Sequence, residues 1–361
     1  MTATLGPKAI TSPLIDAHRA SGANVGEWFG CALPSDFGDW LAEYRRLKES
    51  VALLDKNDRA YLAFTGPDRV RFLNAILTNN IKDLKTGEGI VSLFLNPQGR
   101  IQAEIEAYAE VEKLLCASFA MIREKLIPAF DQFIIMDDVT LTDETLRYGT
   151  LALEGPHTPE LLKKLAGLSL ESLPELSWQE STIASIPSRI IRRSPNGQLG
   201  AEIRCEQSQL FALWNNLLEA TKAAGGGPAG YTALSASRLE SGIPWFGYDF
   251  GEKQIPHEAG LEKSHISYTK GCYTGQEIVE RVRSRGQVNR VRALFQLSAP
   301  ELPAPETAII FDGKEIGYIT RAAHSPAFHS NIAMGYIRRE QAVQGTNLQI
   351  GGAVATVISP R

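Results

Sequence analysis

The octapeptide Lys270-Gly271-Cys272-Tyr273-Thr274-Gly275-Gln276-Glu277 sets a thiol between two glycines. Glycines let the backbone turn tightly and a ligand approach closely, and a helix can begin near Gln276. A cation or a helix N-terminus favours thiolate over thiol, and Lys270 and Arg281 stand close in sequence, so Cys272 is a candidate reactive thiol. The plainer reading is a small buried cysteine on a glycine-rich turn. Around it, Lys263 to Arg292 gathers seven Lys or Arg against two acids, Glu277 and Glu280. That charge suits a phosphate backbone, a polyglutamate tail or an anionic partner, and suits a solvated helix face equally well.

Other chemistries lose support. Cys31, Cys116, Cys205 and Cys272 form no C-x-x-C pair, which argues against a zinc ribbon or a disulfide framework and fits a reducing compartment. The six histidines are dispersed, so no metal site is expected. A Walker loop, a dinucleotide fingerprint, a G-x-S-x-G elbow and an H-E-x-x-H motif are all missing. The 361 residues exceed what one core usually organises, and 43% hydrophobic with 22% charged residues is an ordinary globular composition. A net charge of -4 gives no global attraction to polyanions, and no run reaches the roughly 18 apolar residues of a membrane helix. Met1 to Ala20 lacks a signal-peptide core, so a cytoplasmic protein without membrane contact is expected.

The elements that must carry these residues read as α+β. Spacings of three and four in Asp36 to Leu54 predict an amphipathic helix. Ala60 to Thr65 is a short strand, followed by Gly66, Pro67 and a helix through Val70, Leu73, Ile76 and Leu77. Leu151 to Ala166 repeats the same grammar with Gly155 and Pro156, which suggests two related α+β halves. Between them Val91 to Leu95 pairs across an Asn96 to Gly99 turn with a strictly alternating strand. Ile101, Ala103, Ile105 and Ala107 take one face of that strand, and Gln102, Glu104, Glu106 and Tyr108 the other. With a helix near Met121 to Phe133, a βαββαβ-like unit spans 56–145. Strands at Arg189 to Arg192 and Leu199 to Arg204 precede helices over Gln207 to Ala224 and Thr232 to Gly242. After Asn289, six short β runs separated by Pro, Gly and Asn turns predict a small antiparallel barrel.

Several stretches are familiar. Phe64-Thr65-Gly66-Pro67-Asp68, Arg238-Leu239-Glu240-Ser241-Gly242-Ile243-Pro244, Glu258-Ala259-Gly260-Leu261 and Ser325-Pro326 through Ala333-Met334-Gly335-Tyr336 resemble, in order, the folate-binding family of the glycine-cleavage T-protein, the aminomethyltransferases. The Lys270 to Glu277 octapeptide resembles the signature of that family's YgfZ branch, linked to iron–sulfur protein maintenance. The resemblance implies a three-domain α+β fold arranged as a cloverleaf around a central opening where tetrahydrofolate or a one-carbon derivative sits. Two ferredoxin-like domains are expected, a discontinuous folate-binding one over 1–55 and 146–250 and an inserted one over 56–145. A connecting segment follows over 251–290, then the barrel over 291–361.

Gly200-Ala201-Glu202 resembles the family's Gly-x-Glu strand, which makes Glu202 the pterin anchor, a carboxylate suited to paired N–H donors. The resemblance adds Gly271, Tyr273, Gly275, Gln276 and Glu277 as cofactor-binding residues, with Cys272 and Lys270 as the catalytic pair, and Arg238 is read either as a cofactor-binding anion contact or as a structural ion-pair partner. Two departures stand out. Where the aminomethyltransferases carry Asp-Asp after Asn-x-x-Gly, this chain has Ala103 and Glu104, and their folate-binding arginine is Leu234 here. The implied role is a monomeric, tetrahydrofolate-binding accessory factor for assembly or repair of iron–sulfur enzymes, including radical enzymes that modify tRNA, with a Cys272 thiolate near bound folate. Its clients are iron–sulfur proteins, with a polyanion contact at 263–292. The rivals are a folate-dependent aminomethyltransferase using Glu104 and a non-catalytic RNA- or protein-binding module.

Overall fold

The computed structural model describes residues 10–193, 196–286 and 288–359. By contact density these divide into two compact units, each drawing on separate stretches of chain. The first takes the chain up to Asn74, with Asn80–Val91 and Ile105–Leu234; the second takes Ala75–Asn79, Ser92–Glu104 and Ser235 onward.

In the first unit a six-stranded sheet runs in the order Trp178–Ile183, Ile186–Arg192, Gly200–Glu206, Tyr148–Glu154, Ala52–Asp55, Gly227–Pro228. Its faces differ because side chains alternate along each strand. Leu151, Leu153, Ala201, Ile203 and Cys205 share one face with Leu161 and Leu162 of the helix Thr158–Ala166 and with Leu210, Leu213, Trp214 and Leu217 of the helix Leu210–Ala223. The alternate positions Thr150, Ala152, Glu154, Glu202 and Arg204 therefore lie on the other face. Around Ile191 that face packs against Tyr61, Ala63, Tyr108, Leu115 and Ala117. These belong to a second sheet, ordered Gly89–Leu95, Ile101–Ala109, Leu114–Phe119, Arg59–Thr65, Thr140–Asp143.

The expected helix over Asp36 to Leu54 is shorter, Trp40–Glu49, capped by the Asp39 carboxylate on the Ala42 N–H. Its apolar tail enters the sheet as Ala52–Asp55 because those four residues are buried on both faces. The repeated strand–Gly-Pro–helix grammar has one physical cause. Gly66 (φ 95°) and Gly155 (φ 120°) hold left-handed backbone, and a Cβ there would stand 2.2 Å from Asp138 O and 2.5 Å from Ser50 O. A three-stranded sheet of Ile10–Thr11, Cys31–Asp36 and Asn24–Trp28 completes the unit; the sequence pattern does not announce it.

The second unit contains the closed antiparallel barrel, ordered Arg290–Leu297, Ser330–Arg338, Lys314–Ser325, Ala308–Phe311, Asn347–Ile350, Ala353–Ile358. All six expected β runs are present, and closure leaves the sheet no free edge. Phe295, Ile309, Ile319, Ala333, Ile337 and Val357 fill its interior. Leu294, Ile332 and Met334, one residue out of phase, face outward onto Leu239 of the helix Tyr231–Glu240. No helix of the described residues is long and apolar enough to cross a membrane.

Candidate functional site

Glu202 lies in the first unit. It is 2% exposed on the polar face of the six-stranded sheet. Arg59 reaches it with Nη2 at 2.8 Å from Oε1. The same guanidinium stands 3.3 Å from Glu106 Oε1, which also receives Arg193 at 2.8 Å, while the Tyr108 hydroxyl donates to Glu106 Oε2 at 2.7 Å. Burial pushes the Glu106 carboxyl up, but Arg193 and Arg59 outweigh it and hold the group down at about 2. Tight, hydrogen-bonded pairing is what makes so many buried charges tolerable.

One group on this face lacks such pairing. Glu154 is fully buried, and neither carboxyl oxygen has a hydrogen-bond partner among the described residues. Burial pushes it up to about 7, against the opposing pull of Lys56. In the strand register Glu154 faces Gly200 and Ala152 faces Glu202, so the two carboxyls are diagonal neighbours on one face. Arg59 takes one oxygen of Glu202, and no described residue bonds the other. Two neighbouring carboxyl groups are the kind of partner that the N–H edge of a flat heterocycle takes.

The thiol motif lies in the second unit. Cys272 is the exposed cysteine of the four; Cys31, Cys116 and Cys205 are buried, and burial pushes their thiols up. Burial also lowers the Lys270 ammonium to about 8, and Nζ donates to the carbonyls of Leu77 and Asn79 while lying 5.2 Å over the Tyr273 ring. Lys270 thus ties its loop to the segment Ala75–Asn79. Thr78 does the same, donating through Oγ1 to His265 O at 2.6 Å.

The two glycines differ. Gly275 (φ 81°) caps the helix Gln276–Arg285, and a Cβ there would meet Asn96 O at 2.6 Å, whereas a Cβ at Gly271 meets nothing within 4 Å. Tyr273 is buried with its hydroxyl unpartnered, Gln276 opens the helix, and Glu277 is exposed and paired with Arg281 at 2.7 Å. Arg238 is fully buried and bonded to Asp249 and to Ile243 O, its guanidinium 4.3 Å over Trp245. This geometry is that of an internal ion pair.

Sequence spacing did not signal the partner of Glu104. Its Oε1 lies 2.9 Å from His265 Nε2, and His265 Nδ1 lies 2.7 Å from Ser264 Oγ. With Nε2–H donating to the carboxylate, Nδ1 accepts from the hydroxyl. Ala103, the neighbouring position, is fully buried. Glu106, Arg59, Arg193 and Glu154 were missed as well. The hint in the sequence was Glu106 and Tyr108 on the polar face of an alternating strand.

Mixed α+β sheets followed by a closed six-stranded antiparallel barrel define the T-protein class of fold. The profile of the GCVT N-terminal domain matches residues 14–266, and that of the glycine cleavage T-protein C-terminal barrel domain matches 290–358. The chain belongs to the glycine cleavage T-protein family. It is 28% identical over 342 residues to the aminomethyltransferase of Moorella thermoacetica, covering 94% of this chain and 92% of that one. It is also 28% identical to that of Rubrobacter xylanophilus, over 91% of this chain and 87% of that one. The crystal structure of glycine cleavage system aminomethyltransferase T from Bartonella henselae superposes with a TM-score of 0.87 at 22% identity, over 97% of both chains.

Proposed function

We propose that this protein is a tetrahydrofolate-binding accessory factor of the T-protein family, of the YgfZ type, which supports assembly or repair of iron–sulfur enzymes, including tRNA-modifying radical enzymes. The reading is carried by the Ala103-Glu104 pair. Alanine takes no proton, and the remaining carboxylate is engaged by His265 at 2.9 Å, so this hairpin offers no free acid for aminomethyl transfer. Folate binding is supported separately by Glu202. One oxygen is oriented by Arg59, no described residue bonds the other, and neither oxygen of the neighbouring Glu154 has a hydrogen-bond partner among the described residues. When bound, the folate supplies a site for a one-carbon unit; Glu202 would orient it and Arg59 would hold the Glu202 carboxyl in place. Cys272 is the thiol for the accessory role, with Lys270 positioning its loop.

A second reading is a folate-dependent aminomethyltransferase in which the Glu104–His265 pair moves the proton. It is favoured by the names of relatives matching over nine-tenths of the chain. One set of assays separates the two. Saturable binding of tetrahydrofolate, weakened at least tenfold in Glu202→Gln, with no methylene-tetrahydrofolate formed from an aminomethyl donor, supports the accessory factor. Product formation lost in Glu104→Gln establishes the transferase instead. For the thiol, complementation of a strain lacking its own YgfZ-like protein is decisive: equal rescue by Cys272→Ala removes Cys272 from the proposal.

A further inference from the structure

The basic run of 263–292 is largely consumed inside the second unit. Lys270 bonds main-chain carbonyls, Arg281 pairs with Glu277, and Arg283 pairs with Glu280. Arg292 donates to Ala259 O and Gly242 O. The side chain of Arg285 lies outside the described ones. What remains is Lys263 and Arg290, both exposed, and at Arg290 the fold adds what the sequence keeps 48 residues apart.

In the barrel ladder Arg290 stands directly opposite Arg338. Like charges placed opposite one another across a sheet repel. Both side chains are exposed, and neither makes a hydrogen bond or an ion pair with any described residue. The next residue, Arg339, bonds only main chain, its Nη1 at 3.2 Å from Gly286 O. All three line a cavity of about 590 Å³ on the outer side of the barrel, together with Glu258, Val288, Asn289 and Glu340. Glu258 is already engaged by Arg100 at 3.3 Å and by the Ile255 N–H at 3.0 Å. Glu340 alone is left to balance three guanidiniums.

We infer that this cavity is a binding site for a diphosphate-bearing ligand of nucleotide size. Guanidinium forks match phosphate oxygens in pairs, and a dianion bridging Arg290 and Arg338 turns their repulsion into shared attraction. The volume falls in the range of small-molecule sites, which favours a compact ligand over a polymer. The inference stands independently of the folate reading.

The test uses the full chain, inorganic pyrophosphate as probe, calorimetric titration and thermal melting. Wild type is expected to bind pyrophosphate saturably at one site, at least tenfold more tightly than the double variant Arg290→Gln, Arg338→Gln, and to melt higher when it is bound. The double variant alone is expected to melt no lower than wild type, because the substitution relieves repulsion, so weaker binding is not loss of folding. A control with equal charge loss in the first unit, Lys163→Gln with Lys222→Gln, keeps wild-type affinity. No saturable binding by wild type overturns the proposal, as does equal weakening by the control. So does binding of a single-stranded RNA dodecamer where pyrophosphate fails to bind.

Discussion

At the scale of single residues, the polar face of the first unit holds two carboxyls with opposite responses to burial. Glu106 is tied to Arg59 and Arg193 and held at about 2, whereas Glu154 has no hydrogen-bonded partner among the described residues and is pushed up to about 7. The ordinary value of both is 4.5. Between 4.5 and 7 the unfolded chain releases the Glu154 proton while the folded chain keeps it, so this group lowers stability as pH rises through that window. Glu106 behaves in reverse, contributing stability above 4.5 that is lost as pH falls toward 2. Glu154→Gln is therefore expected to flatten the pH dependence between 4.5 and 7 and to stabilise the protein by about 1–3 kcal/mol more at pH 8 than at pH 4.5. Urea unfolding at the two pH values measures this; an unchanged difference would show that Glu154 is paired in solution.

At the scale of elements, the motif loop is shaped by one glycine and not the other. Gly275→Ala has to adopt positive φ and press a methyl group on Asn96 O, a cost of about 2 kcal/mol or more, while Gly271→Ala meets open space and stays within about 0.5 kcal/mol of wild type. Urea midpoints of the two variants test the contrast, and equal losses would refute it. Tyr273→Phe removes a buried hydroxyl that has no partner, so a neutral or slightly stabilising effect is expected in the same measurement. Much of this level was readable in advance. Periodicity of 2 and 3.6, with Gly-Pro breaks, located the helices and the barrel strands, because burial on one side of an element imposes those periods. The three-stranded sheet over 10–36 was not readable, since Ile10–Thr11 is two residues long and exposed, and carries no period.

At the scale of the whole molecule, the second unit is not a contiguous segment. Lys270, Thr78, His265 and Glu104 bond one another's stretches, and Leu77 to Asn79 and Glu104 come from the N-terminal half of the chain. Residues 235–361 expressed alone are expected to keep the barrel but to lose order around 262–275, where these partners are missing. Limited proteolysis checks this: cleavage there, absent in the full chain, is the expected result, and a protected fragment would contradict it. The barrel itself needs no such help, because its six strands close on one another around their own interior.

The sequence by itself determined the α+β class, the terminal barrel, the family likeness, and the chemistry of Glu202 and Cys272 as types of residue. These are local matters of period, turn chemistry and short motifs. Only the tertiary structure decided which charges are used up. It spent Arg238 on Asp249 and Lys270 on two carbonyls, gave Glu104 a histidine, left Glu154 without a hydrogen bond from any described residue, and set Arg290 against Arg338. Pairing of this kind depends on sheet register and on contacts between residues far apart in the chain, and no spacing along the chain encodes either.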